Sequence, residues 1–269
     1  MGYYIRVERN VKVYVEDLNP KAKQTIVFLH GWPANLNLFE YQYNQLACQF
    51  RCIGIDTRGF GKSDKPIHGY GYDRLADDVR CVIDALGLRG VTLAGHSTGG
   101  AIAVRYMARH RGFGVARLAL CAAAAPSLIQ RPGFPYGLPR EEVVTIIRHT
   151  CTDRPAMLRD FGNIFFFQPV SAAFSDWFFQ LGTVASGWAT AAIANTWLRE
   201  TLFADLKAIR VPTLILHGVH DQVVPFPLGQ AQSRLLPLAR LVPFENSGHG
   251  LFYDEVDRFN RELAQFATG

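Results

Sequence analysis

The chain has 269 residues, 49% of them apolar, and a formal net charge of +5, so we expect one domain with one large core. Its densest basic cluster, Arg105, Arg109, His110 and Arg111, ends a predicted helix, where cations complement the helix dipole. The chain has neither a longer run of basic residues nor a motif in which aromatic and basic residues alternate. Composition and charge therefore exclude nucleic acid as the expected partner.

The N-terminal segment resembles neither a signal peptide nor a membrane anchor. Its first twenty residues alternate charged and apolar positions, and no part of the chain approaches about 18 uninterrupted apolar residues. The five cysteines are scattered without a CxxC pair, which predicts buried free thiols and no metal site. We therefore expect a cytoplasmic protein with no membrane partner, either a monomer or a homo-oligomer.

The first predicted elements form a hairpin at a sheet edge, followed by alternating strands and helices. Residues 3–8 and 11–15 alternate around Arg9 and Asn10, which indicates the hairpin. Short continuous apolar runs then indicate strands buried on both faces, and amphipathic stretches indicate helices between them. This order predicts a mostly parallel, doubly wound α/β sheet. The predicted strands are residues 25–30, 52–56, 91–95, 118–121 and 213–217, and the helices are 38–49, 74–86 and 101–109.

The alternation stops after residues 122–126 and resumes at 211–212. The stretch between them has helical patterns and most of the aromatic residues, including eight phenylalanines and three tryptophans from Phe161 to Phe203. We interpret residues 127–205 as a helical cap inserted into a core made of residues 1–126 and 206–269. The cap's own core accounts for only part of these aromatic residues, and the surplus predicts an apolar pocket.

Ser97 is the candidate nucleophile. The sequence Gly95-His96-Ser97-Thr98-Gly99 follows a predicted strand and opens a predicted helix, the context in which a GxSxG match is informative. A nucleophile in this sharp turn, the nucleophile elbow of residues 95–99, leaves no room for side chains two residues away, a demand that the two glycines meet. The alternative is a glycine-rich turn that binds phosphate, but no GK[ST] or GxGxxG pattern is present.

His249 is the candidate base that accepts the serine proton. It lies in a turn, residues 245–251, between a strand-like segment and the last predicted helix, at the end of the sheet where the elbow is expected. His30 and His217 close strands and are expected to make hydrogen bonds near the pocket rim. His68, His110 and His149 lie on predicted surface loops or helices.

Asp221 is the candidate acid that orients His249. It follows the strand 213–217, and the order Ser, Asp, His along the chain is the one expected for this architecture. The other common position for the acid, after the strand that ends at Cys121, holds only alanines at 122–125. The alternative for Asp221 is an ordinary turn aspartate that caps the next helix.

Two backbone N–H groups are the candidate oxyanion hole. One belongs to Thr98, directly after the nucleophile, and the other to Trp32 in the loop after the strand 25–30. Gly31 permits a sharp turn there, while Pro33 has no N–H to donate. The Trp32 side chain is also a candidate substrate contact, together with Phe165 and Trp188 of the predicted cap.

The motifs HGWP, DTRGFGKSD, GHSTGG, HGVHDQVVP and SGHG, in this order, resemble those of the α/β-hydrolase superfamily over nearly the whole chain. Within it the chain is most similar to bacterial arylesterases, carboxylesterases and cofactor-free haloperoxidases. The resemblance implies carboxylester hydrolysis by a serine esterase without metal or cofactor. Thr98 departs from the Met of many relatives, which argues against perhydrolysis. Ser97 argues against haloalkane dehalogenases and epoxide hydrolases, which carry Asp at the elbow.

The expected substrate is a small-molecule ester with an apolar acyl or aryl portion, cleaved through an acyl-enzyme on Ser97. Three alternatives remain open from the sequence. They are an acyl-lactone hydrolase with the same triad, a perhydrolase-type haloperoxidase, and a non-enzymatic ligand receptor of the same fold. A panel of esters and lactones distinguishes a lactone hydrolase from an esterase. A burst of product without steady turnover indicates the receptor.

Overall fold

A computed structural model describes residues 1–269, and its centre is one eight-stranded sheet in the order β1-β2-β4-β3-β5-β6-β7-β8. The first two strands form the predicted hairpin and pair antiparallel, as β2 does with β4, whereas all other neighbours are parallel. The predicted α/β class is confirmed. The strands are β1 (Gly2–Glu8), β2 (Val11–Leu18), β3 (Thr25–Leu29), β4 (Arg51–Ile55), β5 (Val91–His96), β6 (Val115–Cys121), β7 (Thr213–Gly218) and β8 (Ala239–Phe244).

Eleven α-helices surround the sheet, and none of them combines the length and apolarity that a membrane crossing requires. They cover both faces, so β5 and β7 are buried along their whole length, as their continuous apolar runs predict. The helices are α1 (Glu40–Leu46), α2 (Tyr72–Ala85), α3 (Thr98–Arg109), α4 (Arg140–Thr152), α5 (Arg154–Asn163), α6 (Ala172–Thr183), α7 (Gly187–Arg199), α8 (Phe203–Ala208), α9 (Pro227–Leu235), α10 (Leu251–Asp254) and α11 (Val256–Thr268).

Two local predictions are wrong. The single helix expected over 38–49 is a 3₁₀ turn, Leu36–Phe39, followed by the short α1. The chain turns early because Asn35 Oδ1 accepts the Asn37 N–H at 3.0 Å and Asp56 Oδ1 accepts the Leu36 N–H at 2.8 Å. All five cysteines are free, but two lie at the surface rather than inside, Cys48 after α1 and Cys151 in the last turn of α4.

Helices α4 to α8 lie between β6 and β7 in the chain, with α4 packed on α7 and α5 on α6. Helix α7 is attached directly to loops of the sheet. The Ser186 N–H at its start donates to the Gly59 carbonyl at 3.0 Å, and Thr196 Oγ1 donates to the Tyr70 carbonyl at 3.0 Å. The cap bounds 127–205 stay a prediction, and the boundary after 205 falls inside α8.

A buried ion pair fixes the loop on which α7 rests. Arg58 is 1% exposed, and its Nε and Nη2 donate to the two carboxylate oxygens of Asp78 on α2 at 2.6 and 2.7 Å. Its Nη1 lies 2.9 Å from the Glu8 carboxylate on β1. The Arg58 guanidinium thereby joins three parts of the fold, which are the hairpin, the loop that follows β4, and helix α2.

Asp78→Ala is expected to lower the free energy of unfolding by about 3 kcal/mol, because it leaves the buried Arg58 charge without its bidentate partner. Urea or thermal unfolding measures the loss. Asp84→Ala is the matched control on the same helix, since Asp84 pairs only with the half-exposed Arg80 at 2.7 Å, and it should cost about 1 kcal/mol or less. Equal losses in the two variants would contradict the role given to Arg58.

Candidate active site

Ser97 lies at the turn from β5 into α3 with φ +55° and ψ −121°, a conformation that residues other than glycine rarely adopt. The sheet and helix close tightly around it. A Cβ on Gly95 would lie 2.5 Å from the Gly99 carbonyl oxygen, and one on Gly99 would overlap the Leu29 carbonyl. The steric demand inferred from the GxSxG spacing is therefore present in the structure, and Ser97 is held above the strand ends.

His249 and Asp221 meet at the carboxyl edge of the sheet. His249 Nδ1 lies 2.7 Å from Asp221 Oδ2, and both side chains are buried. Asp221 Oδ1 accepts the backbone N–H groups of Val223 and Val224, each at 2.8 Å. Burial alone would raise the pKa of Asp221, but His249 and His217 beside it hold that pKa well below its usual range. An ionised Asp221 keeps the proton of His249 on Nδ1.

The other ring nitrogen of His249 is available. Nε2 is buried and has no hydrogen-bond partner, while Nδ1 is fixed by Asp221. A neutral imidazole with its proton on Nδ1 has a free lone pair on Nε2, which is the acceptor that a general base requires. Together with the fixed Nδ1, this unpaired atom makes His249 suited to accept a proton.

His96 and Phe165 hold the imidazole from two sides. His96 Nε2 donates to the His249 carbonyl at 3.0 Å, and its ring centroid lies 4.5 Å from that of His249. Burial lowers the pKa of His96 well below its usual value, so the ring is neutral. The predicted contact residue Phe165 is 1% exposed and packs edge-on against His249 at 4.9 Å.

Asp254 fixes the loop that carries His249 and was not found from the sequence. Its carboxylate accepts the N–H groups of Gly248 at 2.8 Å, Phe167 at 3.0 Å and Gln168 at 3.1 Å. Burial raises the pKa of Asp254. The only signal in the sequence was its position five residues after His249, which by itself does not distinguish a structural carboxylate from a solvated one.

The loop after β3 brings Trp32 to Ser97. A Cβ on Gly31 would lie 2.9 Å from Ser97 Cβ, so the loop passes directly beside the elbow. His30 shapes this loop, because its Nε2 accepts the Thr57 N–H at 3.1 Å and its Nδ1 donates to the Gly31 carbonyl at 3.0 Å. The backbone N–H groups of Trp32 and Thr98 donate to no other protein group. Both predicted oxyanion donors are therefore free.

The second strand-closing histidine, His217, also makes hydrogen bonds near the site. Its Nε2 donates to the Val224 carbonyl at 2.8 Å and lies 3.5 Å from Asp221 Oδ2. It thereby supports the turn that presents Asp221. A cluster of three or more His, Cys, Asp or Glu side chains suited to a metal ion is absent.

A cleft of about 470 Å³ lies beside this group, between α4 and α5. Trp32, Met157, Phe161 and Ile164 form part of its apolar lining. Phe161 packs on Trp32 at 5.2 Å and on Phe165 at 5.5 Å, and Phe165 packs on His249 at 4.9 Å, so a row of aromatic rings connects the cleft lining to His249. The cleft also has polar lining residues, Glu141, Glu142, Thr145, His149 and Asp160.

The structure does not bring Trp188 to this site. Its side chain is 47% exposed, its indole N–H donates to the Pro66 carbonyl at 3.0 Å, and it lines neither the cleft nor the space beside Thr98. Trp188 occupies the first turn of α7 on its outward side, whereas Trp197, near the end of the same helix, faces inward and is 4% exposed.

Comparison with known proteins identifies the family of this chain. Residues 24–145 match the family described as the α/β hydrolase fold. The chain is 47% identical over 269 residues, 100% of both chains, to the AB hydrolase superfamily protein YisY of Bacillus subtilis. It is 31% identical, over 99% of both chains, to the bifunctional esterase/perhydrolase DCH of Acinetobacter calcoaceticus. Among solved structures it matches an esterase from Exiguobacterium antarcticum with a TM-score of 0.97, 43% identity and 100% coverage of both chains.

Proposed function

The chain belongs to the α/β-hydrolase superfamily, and from this premise we propose that it is a serine hydrolase that cleaves carboxylic esters through an acyl-enzyme on Ser97. One observation carries the proposal. The buried His249 has Nδ1 fixed by Asp221 at 2.7 Å and Nε2 without a partner, at the edge of the sheet where Ser97 directly follows β5. A nucleophile, an oriented base and an ionised acid are the parts that acyl transfer requires.

The first step forms the acyl-enzyme. Ser97 Oγ attacks the ester carbonyl carbon while His249 Nε2 takes the hydroxyl proton, and Asp221 stabilises the resulting imidazolium. The hydrogen bond between base and nucleophile commonly tightens only when substrate binds, so the unpaired Nε2 of the free protein is compatible with this step. The protonated His249 then gives the proton to the leaving alkoxide, and the alcohol departs.

The second step regenerates the enzyme. His249 removes a proton from a water molecule, which attacks the acyl carbonyl carbon, and the proton returns to Ser97 Oγ as the carboxylic acid leaves. In both steps a negative charge develops on the carbonyl oxygen. The free N–H groups of Trp32 and Thr98, with the N-terminus of α3, stabilise that charge.

The cleft between α4 and α5 supports an apolar substrate. Trp32, whose backbone N–H is one of the two proposed oxyanion donors, lines it together with Phe161, Met157 and Ile164. Apolar side chains make up this side of the cleft, opposite in character to the polar residues of its remaining lining, and such apolar surface is typical of sites that bind small apolar molecules. Esters with an apolar acyl or aryl portion therefore fit this side of the site.

A panel of p-nitrophenyl esters of graded acyl length, with matched γ- and δ-lactones, tests the proposed reaction. We expect steady turnover of esters with medium apolar chains and none in Ser97→Ala. Faster turnover of the lactones would assign the protein as a lactonase instead. A burst of nitrophenol without steady turnover of any substrate would contradict an enzymatic role and favour a receptor.

Acidic residues in the cleft lining predict discrimination by substrate charge. Glu141, Glu142 and Asp160 repel an anionic substrate, each by about 0.5 kcal/mol at roughly 8 Å in water. We expect kcat/KM for a succinate monoester to be roughly 5-fold or more below that for the pentanoate ester of the same alcohol. The difference should shrink in 0.5 M salt, where the Debye length is about 4 Å and charges roughly 8 Å apart are screened, and in the combined variant Glu141→Gln, Glu142→Gln, Asp160→Asn. Equal kcat/KM for both esters at low salt would contradict this binding site.

Peracid formation is the second candidate activity, and the similarity to an esterase/perhydrolase favours it. In this reaction hydrogen peroxide replaces water, attacks the acyl carbonyl carbon and leaves as the peracid, while the proton returns to Ser97. We expect hydrolysis to exceed peracid formation, because Thr98 stands where many perhydrolase-like relatives carry Met. Measuring peracid and acid from one ester in the presence of peroxide decides between the two.

A further inference from the structure

Two indole N–H groups connect α7 to the two residues whose backbone N–H groups are the proposed oxyanion donors. Trp197 Nε1 donates to Thr98 Oγ1 at 3.2 Å, and Trp32 Nε1 donates to the Thr190 carbonyl of α7 at 3.1 Å. Trp32, Thr98 and Trp197 are each 4% exposed, and Thr190 is fully buried. Both hydrogen bonds are thus shielded from water. Loss of a buried hydrogen bond is costly, because water cannot readily take the place of the missing partner.

The two tryptophans also contact each other. Their ring centroids lie 5.1 Å apart with the planes at 79°, an edge-to-face pair. One continuous series of contacts therefore runs from Thr98 through Trp197 and Trp32 to Thr190. It links the two residues that supply the proposed oxyanion donors to each other and to α7. The cavity lined by Trp32 and Thr98 holds only about 10 Å³, at the lower limit for one water molecule.

Helix α7 has its own attachments to the core, which make it a fixed reference for these bonds. Its first turn is held by the Ser186 N–H on the Gly59 carbonyl, and its last turn by Thr196 Oγ1 on the Tyr70 carbonyl, both at 3.0 Å. Arg131 Nη2 also donates to the Trp197 carbonyl at 3.0 Å. None of these attachments involves Ser97, Asp221 or His249.

We propose that α7 positions the oxyanion hole, with Trp197 acting as a positioning residue through its bond to the Thr98 hydroxyl. This inference rests on the proposed ester hydrolysis. The bond fixes the Thr98 side chain and hence the first turn of α3, so that the Thr98 N–H stays aimed at the developing oxyanion. Because full charge on the carbonyl oxygen arises only in the transition state, loss of this alignment lowers kcat and leaves KM nearly constant.

Trp197→Phe and Thr98→Val break the bond from opposite ends while keeping an aromatic ring and a branched side chain. Each is expected to lower kcat by about 10-fold, a fraction of the 10²- to 10³-fold that loss of a whole oxyanion donor costs, with KM within about 2-fold. The double variant should be no slower than the slower single variant, because both remove the same bond. Thr98→Ser, which keeps the hydroxyl, should recover most of the loss. Trp177→Phe on α6 is the matched control, since the Trp177 ring contacts Tyr41 and Phe174 instead.

Inhibitor binding separates positioning from a general loss of structure. A trifluoromethyl ketone, which forms a tetrahedral oxyanion on the nucleophile, should bind Trp197→Phe about 10-fold more weakly, in proportion to kcat/KM. An amide analogue of the substrate, which carries no oxyanion, should bind both proteins equally. A raised KM with constant kcat, multiplicative losses in the double variant, or equal weakening of both inhibitors would overturn the proposal. If wild type itself hydrolyses no ester and Ser97 does not react with a fluorophosphonate, the proposed function fails instead.

Discussion

Ser97→Ala is expected to lower kcat for ester hydrolysis by at least about 10⁴-fold and to abolish labelling by a fluorophosphonate. The size of the loss follows from the role of Oγ, because no acyl-enzyme forms without it. The fold should survive, since the substitution removes a single oxygen and leaves the backbone hydrogen bonds of the elbow intact. In these, the Ser97 N–H donates to the Cys121 carbonyl and the Ala124 N–H donates to the Ser97 carbonyl. Steady-state kinetics, labelling and a thermal melt measure the three effects.

Ser175→Ala is the control for this variant, because Ser175 lies on α6 and is not part of the elbow. It should retain wild-type kcat and be labelled in full. Ester hydrolysis that persists in Ser97→Ala within 10-fold of wild type would remove Ser97 from the mechanism, and with it the acyl-enzyme.

Asp221→Asn is expected to lower kcat by about 10⁴-fold, with a much smaller change in KM. The asparagine Oδ1 keeps the bonds from Val223 and Val224, so the turn is preserved. Its amide group no longer carries the charge that stabilises the imidazolium, and it permits His249 to adopt the other tautomer, in which Nε2 carries the proton and cannot act as a base. The loss should therefore appear across the whole pH range of activity.

The same substitution has a predicted effect on stability. The folded-state pKa of Asp221 lies below its usual range, so its ionised form stabilises the fold above the unfolded-state pKa of about 3.9. That contribution is lost as pH falls through the lower folded-state pKa. The difference in unfolding free energy between wild type and Asp221→Asn should thus be largest near neutral pH and shrink in acid.

Asp176→Asn serves as the control for charge removal, since Asp176 on α6 is exposed and pairs with Arg159 of α5 at 2.7 Å. It should leave both kcat and the acid stability profile as in wild type. If Asp221→Asn remained within 10-fold of wild type, another carboxylate would have to orient His249.

The sequence was informative where local sterics or chain order decide the outcome. The glycines around Ser97 are required by contacts with Leu29 and Gly100, which the GxSxG pattern predicts. The short apolar runs correctly predicted the parallel strands, because a strand buried on both faces has no polar side to alternate with. The resemblance to the α/β-hydrolase superfamily is confirmed over the full length of the chain.

Long-range side-chain pairing lay outside what the sequence predicts. Trp188 and Trp197 lie on one helix with little amphipathic pattern, and only the packing of α7 on the core determines that Trp197 faces Thr98, 99 residues away. The contact of His96 with His249, 153 residues apart, is hidden for the same reason. Local periodicity assigns a residue to a face of its helix, but it does not say which element covers that face.

The central claim is that Ser97 carries the acyl group, and rapid-quench peptide mass spectrometry tests it most directly. Wild-type protein mixed with an activated ester is quenched in acid during the first turnover, digested and mapped. We predict a mass increase equal to the acyl group on the peptide that contains Ser97, which disappears in Ser97→Ala. Ester turnover without any adduct at Ser97, or with the acyl group on another residue, would contradict the mechanism.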